Sequence, residues 1–182
     1  MGNRITNHSH ANVGDLKMNN VLSDYFFVAL ALSCSALATT SAQEVIAQWL
    51  AARDQDFFGL GGVGFDVGDL PWDALNFPSQ RDFLLAATTD AMTGERWHDL
   101  LDLDARWQQF VLDALGQFRQ LVEHLTQRDL PMQPGQTQST GEVARFERCP
   151  LHSVFLHAAP RIPDASTLPR PWGYRCIVCN FV

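Results

Sequence analysis

The sequence predicts a mainly α-helical fold, in which a body of four or five helices is followed by a small β module at the C-terminus. Three observations lead to this prediction. Several segments repeat apolar residues every three or four positions, capping residues mark where those segments begin, and no run of alternating apolar residues before residue 140 is long enough for a strand. We divide the chain into a disordered leader (1–19), a helical domain (20–128), a linker (129–144) and a C-terminal module (145–182).

The first helix is predicted from an apolar segment that follows the polar and irregular leader. Residues 20–38 carry a run of apolar and small residues, which we interpret as a buried helix of the body. The same run ends in Ala-Leu-Ala, so a signal peptide ending near Ala38 is the alternative that the sequence leaves open. Because the apolar run is too short to cross a bilayer, we expect no membrane span.

Three further helices have recognisable ends. Ser41 and Glu44 have the spacing of a capping box at the start of the second helix. The third helix is predicted to begin at Ser79 and to stop at Gly94, since glycine is favoured just after a helix. The longest helix begins at about Asp104 and extends towards Pro131. Its apolar residues keep a helical rhythm over six turns, at Trp107, Val111, Leu115, Phe118, Val122 and Leu125.

The segment between the second and third helices is rich in aspartate and glycine. Residues 54–73 hold five aspartates, whereas no Lys or Arg occurs between Arg53 and Arg81. Such a segment raises the local negative potential and attracts a cationic partner. We predict that it forms a binding face for a basic protein, with acidic contacts and an apolar anchor at Asp56, Asp66, Asp69 and Trp72. The alternative is that the aspartates cap turns and helices and that the glycines allow a tight internal path.

The strongest chemical pattern lies in the last quarter of the chain. The sequence contains two similar pairs of candidate ligands, Cys149-Pro-Leu-His152 and Cys176-Ile-Val-Cys179. Two residues separate the members of each pair. A short turn lets both side chains of a pair converge on one ion, and two such turns complete a tetrahedral Zn²⁺ site. A catalytic zinc keeps one position for water, whereas four candidate ligands favour a closed, structural site. We therefore predict that Cys149, His152, Cys176 and Cys179 bind a structural Zn²⁺.

The surroundings of these ligands resemble a known group of small metal modules. Val154, Phe155 and Leu156 are residues typical of a strand, and they follow the first ligand turn directly. The order of strand, ligand turn and strand over residues 145–182 resembles the zinc-ribbon group. This resemblance implies a β module held together by zinc. His152 stands where many ribbons have Cys, a change that leaves zinc binding intact.

Charge and composition favour a binding protein. Residues 1–142 hold 8 Lys/Arg against 18 Asp/Glu, a net charge of −10, and residues 143–182 hold 5 against 2, a net charge of +3. The acidic body disfavours nucleic acid and suits a basic protein. Metal-bound rather than disulfide-bonded cysteines are typical of a reducing cytoplasm. We predict a cytoplasmic protein of bacterial type that inhibits or neutralises a basic partner, as an immunity protein does.

Two other classes of function remain open at this level. One is a nucleic-acid-associated regulator that acts through the basic zinc module, and the other is an exported enzyme with a cleaved leader. No Ser/His/Asp or paired-carboxylate arrangement is recognisable from spacing alone, which favours a binding protein over an enzyme.

Overall fold

The computed structural model describes residues 2–53, 55–130, 147–158 and 174–179. For residues 56, 57, 157, 158, 174 and 175 the description is limited to the backbone. Over these ranges the protein is mainly α-helical, which confirms the predicted fold class at that level. The helices are α1 (Asn20–Leu37), α2 (Ser41–Ala51), α3 (Gln55–Phe58), α4 (Phe77–Thr93), α5 (His98–Leu101) and α6 (Ala105–His124). The strands are β1 (Asn3–Thr6), β2 (Leu16–Met18), β3 (Phe65–Asp66), β4 (His157–Ala158) and β5 (Tyr174–Arg175).

Helix α1 is the central element of the body. It packs against α2, α4 and α6, and its Phe26, Phe27 and Leu30 are fully buried. The ring of Phe26 meets the ring of Phe118 on α6 edge to face, with 5.5 Å between centroids. The predicted buried helix is therefore present. By length and composition α1 also passes as a membrane-crossing helix or a signal sequence, so the expectations about export and membrane span stay predictions.

The N-terminal residues differ from the disordered leader that their composition predicted. β1 pairs antiparallel with β2 and parallel with β3, which gives a three-stranded sheet in the order β2-β1-β3. Ile5, Leu16 and Met18 are buried on the core, and this burial is what orders the segment. The expectation of no strand before residue 140 was wrong, because strands of four, three and two residues are too short to show an alternating pattern.

The helices predicted to start at Ser41 and Ser79 are present, but each is capped or begins slightly earlier than predicted. Helix α2 is capped by Thr40 and Gln43, one residue before the predicted pair Ser41 and Glu44. The Thr40 hydroxyl accepts from the Gln43 amide at 3.4 Å, and the Gln43 side-chain oxygen accepts from the Thr40 amide at 3.3 Å. Two capping patterns overlap in this sequence, and the earlier one is used. Helix α4 likewise begins before Ser79, at Phe77, with a proline in its first turn.

Two other helix ends were predicted correctly and one was not. Gly94 terminates α4 in the left-handed region, at a φ of 78°. Asp104 caps α6, since its carboxylate accepts from the Trp107 amide at 2.9 Å. Helix α6 ends at His124, well before Pro131; the next residue, Leu125, is extended, and Arg81 on α4 donates to carbonyl groups of the last turn of α6.

The predicted linker lies almost wholly outside the described residues, which resume at residue 147. Beyond it, Arg148 pairs with Phe155 in an isolated antiparallel bridge, and β4 pairs antiparallel with β5. These short pairings lie on either side of the candidate metal ligands.

Candidate metal centre

The first ligand pair is presented by a tight turn. The Cys149 amide donates to the Val154 carbonyl at 2.8 Å, and the Ser153 amide donates back to the Cys149 carbonyl at 2.8 Å. Ser153 has a φ of 56°, a left-handed conformation that closes the turn. As a result, the side chains of Cys149 and His152 lie on the same side of the turn.

The second ligand pair follows β5. Pairing of β5 with β4 carries the chain to Cys176, and residues 177–179 then form a turn. Ile177 and Val178, between the two ligands, are buried and join the core of the protein. The sequence between the cysteines therefore anchors the turn while both thiols face the first pair.

The four predicted ligands come together at one point, with all ligand atoms within 4.8 Å of one another. Nδ1 of His152 lies 3.8 Å from the sulfur of Cys149, 3.7 Å from that of Cys176 and 3.4 Å from that of Cys179. The sulfurs of Cys149 and Cys179 are 3.7 Å apart. A tetrahedral ion with Zn–S bonds of about 2.3 Å places two sulfurs about 3.8 Å apart and a sulfur and a nitrogen about 3.6 Å apart. The four residues therefore fit a tetrahedral metal ion.

The electrostatics of the cluster differ between its thiols. Burial disfavours the Cys149 thiolate, but the amide groups of His152 and Leu151 hydrogen-bond to it and lower the pKa of Cys149 below its ordinary value. Burial raises the pKa of Cys176 to about 12, and the neighbouring Cys149 sulfur adds to this. Without a cation, the cluster thus opposes a second negative charge, whereas a bound metal ion would stabilise several thiolates together.

The first ligand turn is attached to the body at the end of α1. The Arg148 guanidinium donates to the Ser35 carbonyl oxygen, and the Phe155 amide donates to the Ser35 hydroxyl at 3.2 Å. Gln48 on α2 donates to the Leu156 carbonyl at 3.3 Å. Phe155 itself is buried in the core of the protein. The metal centre is therefore held against the helical body by both polar and apolar contacts.

Three of the residues predicted as a partner-binding face have described side chains, and Asp66 and Asp69 both make hydrogen bonds within the loop. Asp66 accepts from the Thr6 hydroxyl and from the Gly68 amide, each at 2.8 Å, and from Nδ1 of His8 at 2.9 Å. The Asp66 amide in turn donates to the carboxylate of Asp69 at 3.3 Å. Asp66 therefore joins β1 to the loop, as in the structural interpretation of the aspartates, whereas Asp69 is exposed.

The side chain of Trp72 is half-buried. Its Nε1 donates to the Val67 carbonyl at 2.8 Å, and its ring packs edge to face on Phe77 with 5.2 Å between centroids. The side chain of Asp56 lies outside the described residues. None of these contacts tests binding of a partner, which stays a prediction.

Arg53, which the sequence analysis used only to mark the start of a stretch without Lys or Arg, lies within this region. The guanidinium of Arg53 stacks 3.5 Å from the ring centroid of Trp49 and 4.7 Å from that of Phe58. Burial lowers the pKa of Arg53 to about 10, and the charge of Asp69 opposes this shift. The acidic segment therefore has a local counter-ion. Arg53 lies two residues beyond α2, and its spacing of four from Trp49, within the helix predicted to stop near residue 54, was the available signal.

The glycines of the loop allow a close approach between backbones. A Cβ atom on Gly64 would lie 2.4 Å from the carbonyl oxygen of Arg4 in β1. Gly64 directly precedes β3, so only a residue without a side chain lets β3 lie alongside β1. Gly64 therefore agrees with the alternative that the glycines let the chain follow a tight internal path.

Comparison of the chain with protein-family models, with curated proteins and with solved structures found no match.

Proposed function

We propose that this protein is a small acidic binding protein whose C-terminal module is held by a structural Zn²⁺. Support comes from four separations, those from Nδ1 of His152 to the three sulfurs and that between the sulfurs of Cys149 and Cys179, which lie within about 0.2 Å of the values expected around tetrahedral zinc. Protein atoms supply all four positions, which leaves none for a catalytic water. Three thiols and an imidazole also form a softer ligand set than magnesium or calcium requires.

The partner in this proposal is a basic protein. The acidic body supports it, since residues 1–142 carry a net charge of −10. At the surface of the aspartate-rich segment, Asp69 is exposed and Trp72 is half-exposed. An exposed carboxylate three residues from a partly exposed aromatic ring suits the recognition of Lys or Arg on a partner. In this proposal the protein neutralises its partner by covering it, in the manner of an inhibitor or immunity protein.

The zinc site is tested by metal analysis of the purified full chain. Inductively coupled plasma mass spectrometry is expected to find about one equivalent of zinc per chain. Cys176→Ser is expected to abolish it, and Cys34→Ala is the control for loss of a buried thiol, because Cys34 is not one of the four clustered ligands. Wild-type protein without bound metal after refolding in excess zinc would contradict the site.

The partner is tested by affinity capture from a cell lysate at low and moderate salt, followed by binding measurements with the purified partner. Asp56→Asn with Asp69→Asn is expected to weaken binding and to reduce its dependence on salt. Asp66 is left intact because it also joins β1 to the loop. Asp82→Asn with Asp99→Asn is the control for total charge, since both side chains are exposed. Equal loss of binding in both double variants would contradict a localised face.

A nucleic-acid arm separates the leading proposal from the regulator. Labelled duplex DNA and single-stranded RNA are titrated with the protein at several salt concentrations. Tight binding that falls steeply with salt would favour the regulator over the protein binder.

A further inference from the structure

The C-terminal end of α1 has no cationic side chain from its own turn. The last four carbonyl groups of a helix have no partner within the helix, and a cation near them offsets the helix dipole. The last turn of α1 contains no basic residue. The Cys34 carbonyl accepts from the Ala38 amide, whereas the Ser35 carbonyl accepts from the guanidinium of Arg148. The missing cation is thus supplied by the residue next to the first metal ligand.

Phe155 completes this contact on the other side of the ligand turn. Its amide donates to the Ser35 hydroxyl at 3.2 Å, and its side chain is only 1% exposed. The guanidinium of Arg148 lies 4.0 Å from the centroid of the Phe155 ring. Arg148 and Phe155 therefore form one unit that covers the end of α1.

The geometry of this unit depends on the ligand turn. Arg148 and Phe155 pair as a single bridge, and the chain between them carries Cys149 and His152. An isolated two-stranded pairing is at best marginally stable in water, and here only one bridge and two short strands are present over the described residues of the module. A metal ion that ties Cys149 and His152 to the second ligand pair would fix the separation of Arg148 and Phe155.

We infer that metal binding at the Cys149 cluster caps α1 through Arg148 and Phe155, so that metal occupancy controls the order of the central helix as well as that of the module. The inference rests on the proposed zinc site. Loss of the ion releases the cap, frees the last turn of α1 and uncovers the apolar surface beneath Phe155. Linkage makes the effect reciprocal, so a weakened cap lowers the affinity for the ion by the same factor.

The first test uses the unmodified full chain with saturating zinc and after chelation. Amide hydrogen exchange at Ala38, and at the residues of α1 just before it, is expected to be at least tenfold faster in the metal-free protein. Amide exchange in the middle of α6, where other contacts protect the helix, serves as the internal reference. Zinc content near one equivalent together with unchanged exchange at the end of α1 would overturn the coupling and leave the zinc site standing. Absence of bound zinc would overturn both.

The second test weakens the cap and keeps all four ligands. Arg148→Gln is expected to retain one equivalent of zinc, to bind it roughly tenfold more weakly in competition with a chelator, and to show faster exchange at Ala38. Arg128→Gln is the matched control because that arginine is exposed and distant in sequence from the ligands. If Arg148→Gln does not fold, Ser35→Ala removes the acceptor of the Phe155 amide instead. Wild-type zinc affinity in the cap variant that folds would overturn the inference.

Discussion

The helical body and the C-terminal module differ in how their described residues are held in place. The body buries many large side chains, among them Trp97, Phe26, Phe27 and Phe118, and its longest helices have 17 to 20 residues. The module is described over 18 residues, has strands of two residues each, and brings four candidate ligand atoms within 4.8 Å of one another. Stability is thus distributed over many contacts in the first region, whereas the proposed zinc would add one shared ion to the packing of Phe155, Ile177 and Val178 in the second.

This difference predicts how each region responds to a single change. Removing one side chain from a distributed core leaves the remaining contacts in place, so the cost is limited to the lost contacts and a cavity. Removing one ligand from a concentrated site releases the ion and, with it, most of the free energy that orders the module. The four experiments below test this contrast, from the largest expected effect to the smallest.

Loss of one metal ligand should have the largest effect. Cys179→Ser is expected to remove an ion whose binding is worth on the order of 10 kcal/mol in small zinc modules, and so to unfold the ligand turns. Amide exchange at Cys149, whose amide bonds to Val154, is the measurement. Retained protection of that amide in metal-free protein would show that the module is ordered by packing alone.

Loss of one large core residue should have a smaller, bounded effect. Phe118 is fully buried between Phe26 and Phe65, so Phe118→Ala is expected to lower the free energy of unfolding by about 3–5 kcal/mol. Urea denaturation is the measurement. Phe110→Ala on the same helix is the control, because that ring is 38% exposed and its loss should cost much less. Equal costs for the two variants would contradict a core centred on α1 and α6.

Loss of one helix cap should be smaller again. Asp104→Ala removes the acceptor of the Trp107 amide at the start of α6 and is expected to cost about 1 kcal/mol. Asp113→Ala, at an exposed position within the same helix, controls for the change of charge. Thermal melts are the measurement, and the Asp113 variant should have the higher melting temperature of the two.

Acid should produce the smallest and most gradual change in the body. Hydrogen bonds from the hydroxyl and amide of Thr126, together with Nε2 of His10, lower the pKa of Asp129 below its ordinary value. A carboxylate whose pKa is lower in the folded state adds stability above its unfolded pKa of about 3.9, and this stability is lost as the pH falls through the folded value. Asp129→Asn is expected to make the urea midpoint change less between pH 5 and pH 3 than it does in the wild-type protein. An unchanged dependence of the urea midpoint on pH would show that other carboxylates cause the loss of stability in acid.

Local signals explain what could be predicted from the sequence. Gly94 and Asp104 lie beside the helix ends that they determine, and their residue types are sufficient to mark those ends. The candidate ligands were recognisable because a short turn fixes the geometry within each pair. Where two local signals overlapped, as at Thr40 and Ser41, the sequence did not distinguish between them.

Long-range contacts explain what could not be predicted. Asp66 bonds to Thr6 across 60 residues, so its role in joining the loop to β1 has no local sequence signal. Helix α6 ends where Arg81 from another helix reaches it. The order of the N-terminal residues likewise comes from the core on which Ile5 packs, and composition alone reports only their polarity.

The position of β1 at the centre of its sheet has a consequence for the order of events during synthesis. Its second neighbour is β3, and Ile5 pairs with Phe65, so this strand cannot complete its hydrogen bonds until residues around position 65 have left the ribosome. Pairing with β2, only about ten residues away, is available much earlier. The growing chain therefore passes through a stage in which one edge of β1 is open, and pairings of high sequence separation close slowly. A chaperone that recognises extended segments would have its best opportunity during that interval.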